Sequence, residues 1–537
     1  MSVGSGTQRS VIYGTTAVNK VVAIPVTEEG HMEVAIHGPI NPFGSVHTEK
    51  LTPVFQADGV YGVNPFTMTT TTGLGAGVGS GTGSVTAASN YLVCATGTTA
   101  LSFAMLQSRR RLRYRAGQGV TGRFAGKFSS PVASSYLVAG FGTAESTLAF
   151  GYNGTSFGIL YSTGGVREIH TFTVTTASTA TNDYVVTLPN TATVNVTATN
   201  NSSTTQTAYE ISRGTFPGWT ATAIGSTVIF LAGSAGNVSG SFSLAQTGAG
   251  VPAAGSDAET LAGVAATDTW IPQASWNGDI MNGSGSASNP SGFNLDPSKG
   301  NVYQIGIQYL GSGAITFQVE VTYSGSNNPE FVTAHTLKIP NTLTSTSLSQ
   351  PSFPFLAAAY SAGSTTNISV SISSFAGFNE GDTLNLGPRV SYDRDSVVTS
   401  STSAYKPIIT IRNGSIYNSR ANQTVISLID VGGSAKGNAN AQTKFFVVRN
   451  PVLTGPVNFT SVGTGSAAYY DISATGMSDP SITQKIWATP IVESGSFDHA
   501  FADKEITLQP GESVCLCVKS VTATADCLMT MNTREDQ

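Results

Sequence analysis

The run Val120-Thr-Gly-Arg-Phe-Ala-Gly-Lys-Phe128 puts Val120, Gly122, Phe124, Gly126 and Phe128 on one side of an extended chain. A period of two identifies a β-strand with one face turned to a core. Tyr136-Leu-Val-Ala-Gly-Phe-Gly, Leu148-Ala-Phe-Gly-Tyr and Phe157-Gly-Ile-Leu-Tyr follow in the same manner, with Asn153-Gly as the turn between the last two. After an interruption the pattern resumes in Val302-Tyr-Gln-Ile-Gly-Ile-Gln-Tyr-Leu, Ala314-Ile-Thr-Phe-Gln-Val-Glu-Val and Phe331-Val-Thr-Ala-His-Thr-Leu-Lys-Ile, with Gly311-Ser-Gly turning the hairpin. Short strands at this spacing, joined by glycine-rich turns, predict an antiparallel sandwich.

Composition agrees. Charged residues make up 11% of the 537 and glycine supplies 59, while 40% are hydrophobic. That is too apolar for a disordered linker and too poor in Leu, Glu, Lys and Arg for helices. A net charge of -5 leaves no basic footprint, so no nucleic-acid partner is expected. No window holds 18 consecutive apolar residues, so no membrane insertion is expected, and Met1-Ser-Val-Gly-Ser-Gly-Thr-Gln-Arg lacks the apolar core of a secretory signal. Cys94, Cys515, Cys517 and Cys527 read as buried small apolar residues, since Cys515 and Cys517 share one strand face and are poorly placed to bond each other.

The fold class expected is all-β dominated: a concanavalin-like jelly-roll sandwich interrupted by a small α+β insert, plus a C-terminal β-sandwich. Residues 1–84 read as an attachment region ending in a Gly/Thr-rich linker at 67–84, with strands at Val21-Val-Ala-Ile-Pro-Val and Met32-Glu-Val-Ala-Ile. Residues 85–169 and 266–392 read as the two halves of the sandwich. The insert spans 170–265, and its helix is Gln206-Thr-Ala-Tyr-Glu-Ile-Ser-Arg, stopped by Gly214. Residues 393–537 read as the last β unit.

Candidate sites are few. Arg109, Arg111, Arg113 and Arg115 alternate along one strand, which suits a solvated face, a contact with a neighbouring subunit or an anionic ligand. Trp270 and Trp276 sit where the chain re-enters the sandwich; they suit either stacking on a sugar ring or plugging the seam beside the insert. The six histidines, His170 among them, show no ligand spacing, and no G-x-S-x-G appears. Asp393, Asp395 and Glu145 are the carboxylates a glycosidase would draw on, but spacing selects no pair. The run Gly73-Leu-Gly-Ala-Gly-Val-Gly lacks the lysine and helix of a phosphate loop. No catalytic residue, metal or cofactor is expected.

Ser108-Arg-Arg-Arg-Leu-Arg-Tyr-Arg-Ala-Gly-Gln-Gly-Val, Phe150-Gly-Tyr-Asn-Gly-Thr-Ser-Phe-Gly-Ile-Leu and Gly300-Asn-Val-Tyr-Gln-Ile resemble a family of virion structural proteins of tailed phages and large DNA viruses, over roughly residues 30–390. The resemblance implies a non-enzymatic tail fibre, spike or baseplate-peripheral protein on the particle exterior. Its partners would be other virion proteins, copies of itself as a homotrimer, and a host-surface glycan or protein. A capsid decoration protein and a glycan-cleaving tailspike are the alternatives.

Overall fold

The computed structural model describes residues 12–15, 21–24 and 51–536, apart from 75–80, 202, 323–328, 382–386, 438–439 and 503–504. Met1–Lys50 forms one unit and Leu51–Gln537 another. In the first, Ile12–Thr15 pairs antiparallel with Val21–Ile24. The strand expected at Met32 lies outside the described residues.

Leu51–Gln537 is an all-β assembly of sandwiches with one short α-helix among the described residues. The first sandwich faces a seven-stranded sheet against an eight-stranded one. The seven run in the order Thr267–Pro272, Ser156–Thr163, Thr147–Asn153, Tyr136–Gly142, Phe353–Tyr360, Ser102–Leu112, Met68–Leu74. In the facing sheet the path is Glu330–Leu337, Ile315–Val321, Asn301–Ile307, Val120–Phe128, Ser369–Glu380, Tyr91–Ala95, Ser84–Ala88, and Leu51–Asp58 also pairs with Ser369–Glu380. Phe124, Phe150, Tyr303 and Phe317 fill the space between, with Phe355 stacked on Phe375 at 4.1 Å. The alternation read at Val120–Phe128 is the inner face, and its glycine has a steric cause: a Cβ on Gly122 would lie 2.0 Å from the ring of Phe141 in the facing sheet.

The linker expected over 67–84 is in part a strand. Met68–Leu74 closes one edge of the seven-stranded sheet, paired with Ser102–Leu112. Its threonine run has high β propensity, which outweighs the low-complexity look of the sequence. Residues 75–80 of that stretch lie outside the described residues.

The insert leaves and re-enters the sandwich where Val166 and Val264 bridge. It holds a four-stranded sheet (Trp219–Ile224, Thr227–Ala235, Arg167–Thr176, Ala254–Leu261), a three-stranded sheet (Thr193–Val196, Tyr184–Thr187, Ser243–Gln246) and the helix Thr204–Ile211. The helix starts two residues before the sequence suggests because Ser203 caps it, its oxygen accepting from the Gln206 N–H at 3.3 Å. The C-terminal sandwich packs two six-stranded sheets around Ile409, Phe445, Leu516 and Met531. All four cysteines are free and buried, and burial pushes the thiols of Cys94 and Cys527 up to about 12.

Insert and C-terminal sandwich share one core. Phe216 and Phe230 of the first belong with Phe446 and Phe459 of the second. Tyr209 Oη accepts from the Leu453 N–H at 3.0 Å, and Gln206 Oε1 accepts from the Val457 N–H at 3.0 Å. Arg412 crosses the boundary: its Nη1 donates to the Ala223 carbonyl at 3.0 Å, and its guanidinium lies 3.7 Å from the centre of the Phe459 ring. Burial lowers its pKa to about 10, against the opposing charges of Tyr209 and Asp471. Arg412→Ala removes the stacking and leaves a buried carbonyl unpaired, so it should cost about 2 kcal/mol or more. Urea unfolding measures the loss, and hydrogen exchange should quicken first at Trp219–Ile224.

Candidate binding face

The outward side of the seven-stranded sheet has two ends with different fates, and the strand Ser102–Leu112 runs through both. At one end Arg109 and Arg111, and Arg113 and Arg115 just past the strand, are engaged by other parts of the chain. Arg109 Nε donates to the Pro65 carbonyl at 2.6 Å, and its Nη1 lies 3.6 Å from Glu512. Arg111 Nη1 donates to Gln423 Oε1 at 2.6 Å. Arg115 pairs with Asp536 at 2.8 Å, and Arg113 with the same carboxylate at 3.5 Å. Burial, reinforced by Arg167, lowers the Arg111 pKa to about 10, while Glu145 opposes the shift. Glu145 in turn pairs with Arg167 at 2.6 Å. First sandwich, insert and C-terminal sandwich therefore meet at one knot of charge. In place of the solvated face, neighbouring subunit or anionic ligand expected from the sequence, Arg111, Arg113 and Arg115 make contacts inside the chain, and Arg109 does so with its side chain still 35% exposed.

At the other end the face is open. Phe103, Tyr360 and Tyr136 stand in register on three neighbouring strands, and Asn153 continues the row on the fourth. The Tyr136 and Tyr360 rings lie 6.1 Å apart with planes 8° from parallel. Trp270 leans in from the edge strand, 6.2 Å from Tyr136 at 25°. Tyr136 is 37% exposed, which is high for an aromatic in the middle of a sheet. Neither tyrosine hydroxyl nor the Trp270 Nε1 has a protein hydrogen-bond partner among the described residues. Rows of apolar rings with unclaimed polar tips are suited to ligands that are apolar on one face and hydroxylated at the edge.

Beside the row the floor is glycine. Gly151 is paired with Gly158, and Gly140 lies one strand further. A Cβ at these positions would sit 1.9 Å, 2.3 Å and 2.2 Å from the carbonyls of Leu137, Ile271 and Leu148. The strands thus leave no room for side chains there, and the backbone of all three glycines is itself buried.

Trp276 is elsewhere. It is 4% exposed, packed edge-on to Phe150 at 6.1 Å, with Nε1 donating to the Ile271 carbonyl at 3.3 Å. It plugs the core and offers no face to a ligand. Asp393 and Asp395 are exposed, and Glu145 is held by Arg167.

One buried charged cluster escaped the sequence reading. His170, 1% exposed, makes hydrogen bonds through Nε2 to Glu168 at 2.7 Å and through Nδ1 to Asp257 at 2.8 Å. The signal was there in part, since Glu168 and His170 are two apart and share a strand face. Asp257 enters only through the pairing with Ala254–Leu261. Both ring nitrogens are engaged, so the imidazole has no free site for a substrate or metal. Glu168 also accepts from the Val238 N–H at 2.6 Å and Asp257 from the Phe242 N–H at 2.8 Å, so the cluster pins the segment 238–242. Among the described residues no group of three His, Cys, Asp or Glu is placed to hold a metal ion, and no helix is long and apolar enough to cross a membrane.

No protein-family model matches the chain, and no curated protein matches it.

Burial by itself would depress the His170 pKa, but the hydrogen bonds and charges of Asp257 and Glu168 outweigh it, and the net shift is upward. A folded-state pKa above the unfolded value near 6.5 contributes stability that is complete below that value. The contribution disappears as pH rises through the raised pKa. Thermal unfolding followed from about pH 6 to about pH 10 should show stability falling on the alkaline side. Replacing Glu168→Gln together with Asp257→Asn should flatten that slope, because the imidazole is then neutral throughout the alkaline range.

Proposed function

We propose that this chain is a non-enzymatic structural protein of a virion, a tail fibre, spike or baseplate-peripheral part, and that its open aromatic row holds a glycan of the host surface. The observation that carries the reading is the Trp270–Tyr136–Tyr360 row, stacked ring beside ring on the outward face with Tyr136 37% exposed and its polar tips unclaimed among the described residues. Two further features support it. The arginine knot and the shared core tie three bodies into one unit, as a load-bearing particle part requires. The net charge of -5 on 537 residues leaves little long-range steering, so contact rests on shape.

The mechanism is binding. A single ring-on-sugar platform gives weak affinity, and several copies on one particle, a homotrimer or a set of them, raise it by avidity. Attachment to the particle falls to Met1–Lys50, which forms its own unit.

Trp270→Ala and Tyr136→Ala should each weaken binding of purified protein to the host surface polysaccharide by about tenfold, the equivalent of roughly 1.4 kcal/mol. The melting temperature should stay within a degree or two, since both rings lie outside the core. Unchanged binding in both variants would sink the glycan assignment. Release of reducing sugar would turn the reading to the cleaving tailspike, and label on the capsid shell of the parent particle would turn it to decoration.

A further inference from the structure

The opposite outward face, that of the eight-stranded sheet, carries a groove of about 370 Å3. It crosses the strands Leu51–Asp58, Ser369–Glu380, Val120–Phe128 and Asn301–Ile307. Ala125, Ser374 and Ala376 line it with small side chains, and Arg123 stands among them.

Arg123 is held in an unusual way. Its guanidinium carbon lies 4.9 Å from the centre of the Phe331 ring and 5.8 Å from that of Phe378. Its Nε donates to Gln304 Oε1 at 2.5 Å. Gln304 Nε2 donates to Gln318, and Gln318 Nε2 donates to the Thr333 hydroxyl at 3.2 Å. Two rings and an amide relay across three strands therefore fix the plane and direction of the guanidinium. Among the described residues Nε makes the only hydrogen bond of this group, so the Nη1–Nη2 end of the fork donates to none of them. Burial lowers its pKa, and the charge of Glu320 opposes that shift without forming an ion pair. A desolvated cation with an open, oriented fork is matched by a planar carboxylate, which takes both hydrogens at once.

The rest of the lining narrows the ligand. Ala125, Ala376 and Phe378 give an apolar surface, while Gln56, Asp58 and Ser374 place amide, carboxylate and hydroxyl groups around it. That alternation suits a pyranose, with C–H groups on its face and hydroxyls at its edge. Asp58 would repel a second negative charge nearby, which disfavours phosphate and densely charged polymers. We propose that this groove binds an acidic sugar, a uronic or sialic acid unit, with its carboxylate on Arg123. The site is separate from the aromatic row and does not depend on it.

The test uses the full chain and four probes: a glucuronate-containing oligosaccharide, a sialylated oligosaccharide, and the carboxyl-reduced form of each. Titration calorimetry and ligand-observed NMR should show at least one acidic probe binding the wild type, with its reduced form about tenfold weaker or worse. Arg123→Ala should abolish that difference. Arg123→Lys, which keeps the charge but loses the fork, should lose about tenfold, and circular dichroism should show both variants folded. Trp270→Ala should leave the preference for the acidic over the carboxyl-reduced probe intact, which separates this site from the row. Equal affinity for acid and reduced probes, binding unchanged in Arg123→Ala, or no binding of either acidic probe would each overturn the proposal.

Discussion

Placing several guanidinium groups of one short segment, Arg109 to Arg115, largely out of water is possible only if opposite charge arrives from elsewhere, and the arrangement of the three bodies follows from that requirement. Arg115 and its partner Asp536 are 421 residues apart in sequence. Glu512, Gln423 and Asp536 all come from the C-terminal sandwich, and Glu145 meets Arg167 at the root of the insert. A cation left buried without its partner costs several kcal/mol. The charge knot therefore acts as a register mark: only one seating of the C-terminal sandwich on the first satisfies it. The shared core between insert and C-terminal sandwich, with Arg412 through its middle, closes the triangle from the other side.

That closure also defines the surfaces left over. Along Ser102–Leu112 the outward face changes from Arg111 and Arg109, which reach the C-terminal sandwich, to the apolar Met105 and Phe103. The aromatic row occupies the stretch the C-terminal sandwich does not reach. On the other sheet the outward face is polar, with Gln304 and Gln318 joined across strands and Arg123 at the end of the relay. One sandwich thus presents two outward faces of different chemistry, one set by rings and the other by an oriented cation.

Local pattern made the sandwich legible. Period-two alternation names the inner faces of Val120–Phe128 and Asn301–Ile307 because each position reports its own side of the sheet. The same pattern puts Arg109 and Arg111 on one face, but what covers that face is settled by residues hundreds of positions away. Trp270 and Trp276 show the limit most sharply: six residues apart in one short segment, one joins an exposed row and the other plugs the core. The 3₁₀ turn Gln273–Ser275 between them reverses the direction, and no periodicity spans it. Arg123 looked like the polar side of an alternating strand; its two aromatic flanks come from other strands, Phe331 and Phe378, which only the pairing brings together.

The order in which the chain supplies its strands has a consequence for how the first sandwich is made. Phe353–Tyr360 lies inside the seven-stranded sheet, fifth in its order, between Tyr136–Gly142 and Ser102–Leu112. Ser369–Glu380 likewise joins Val120–Phe128 to Tyr91–Ala95 and Leu51–Asp58. In both sheets the central strand is the last of its sheet to emerge during synthesis, after the whole insert. Until then the seven-stranded sheet exists as two pieces and the eight-stranded one as three, with unpaired inner edges on a chain with few charges to keep such edges apart. Pairings of this separation also form slowly. The sparse charge that suits a finished assembly part is a hazard for the nascent one, and early folding of the insert shortens the loop that the central strands must close.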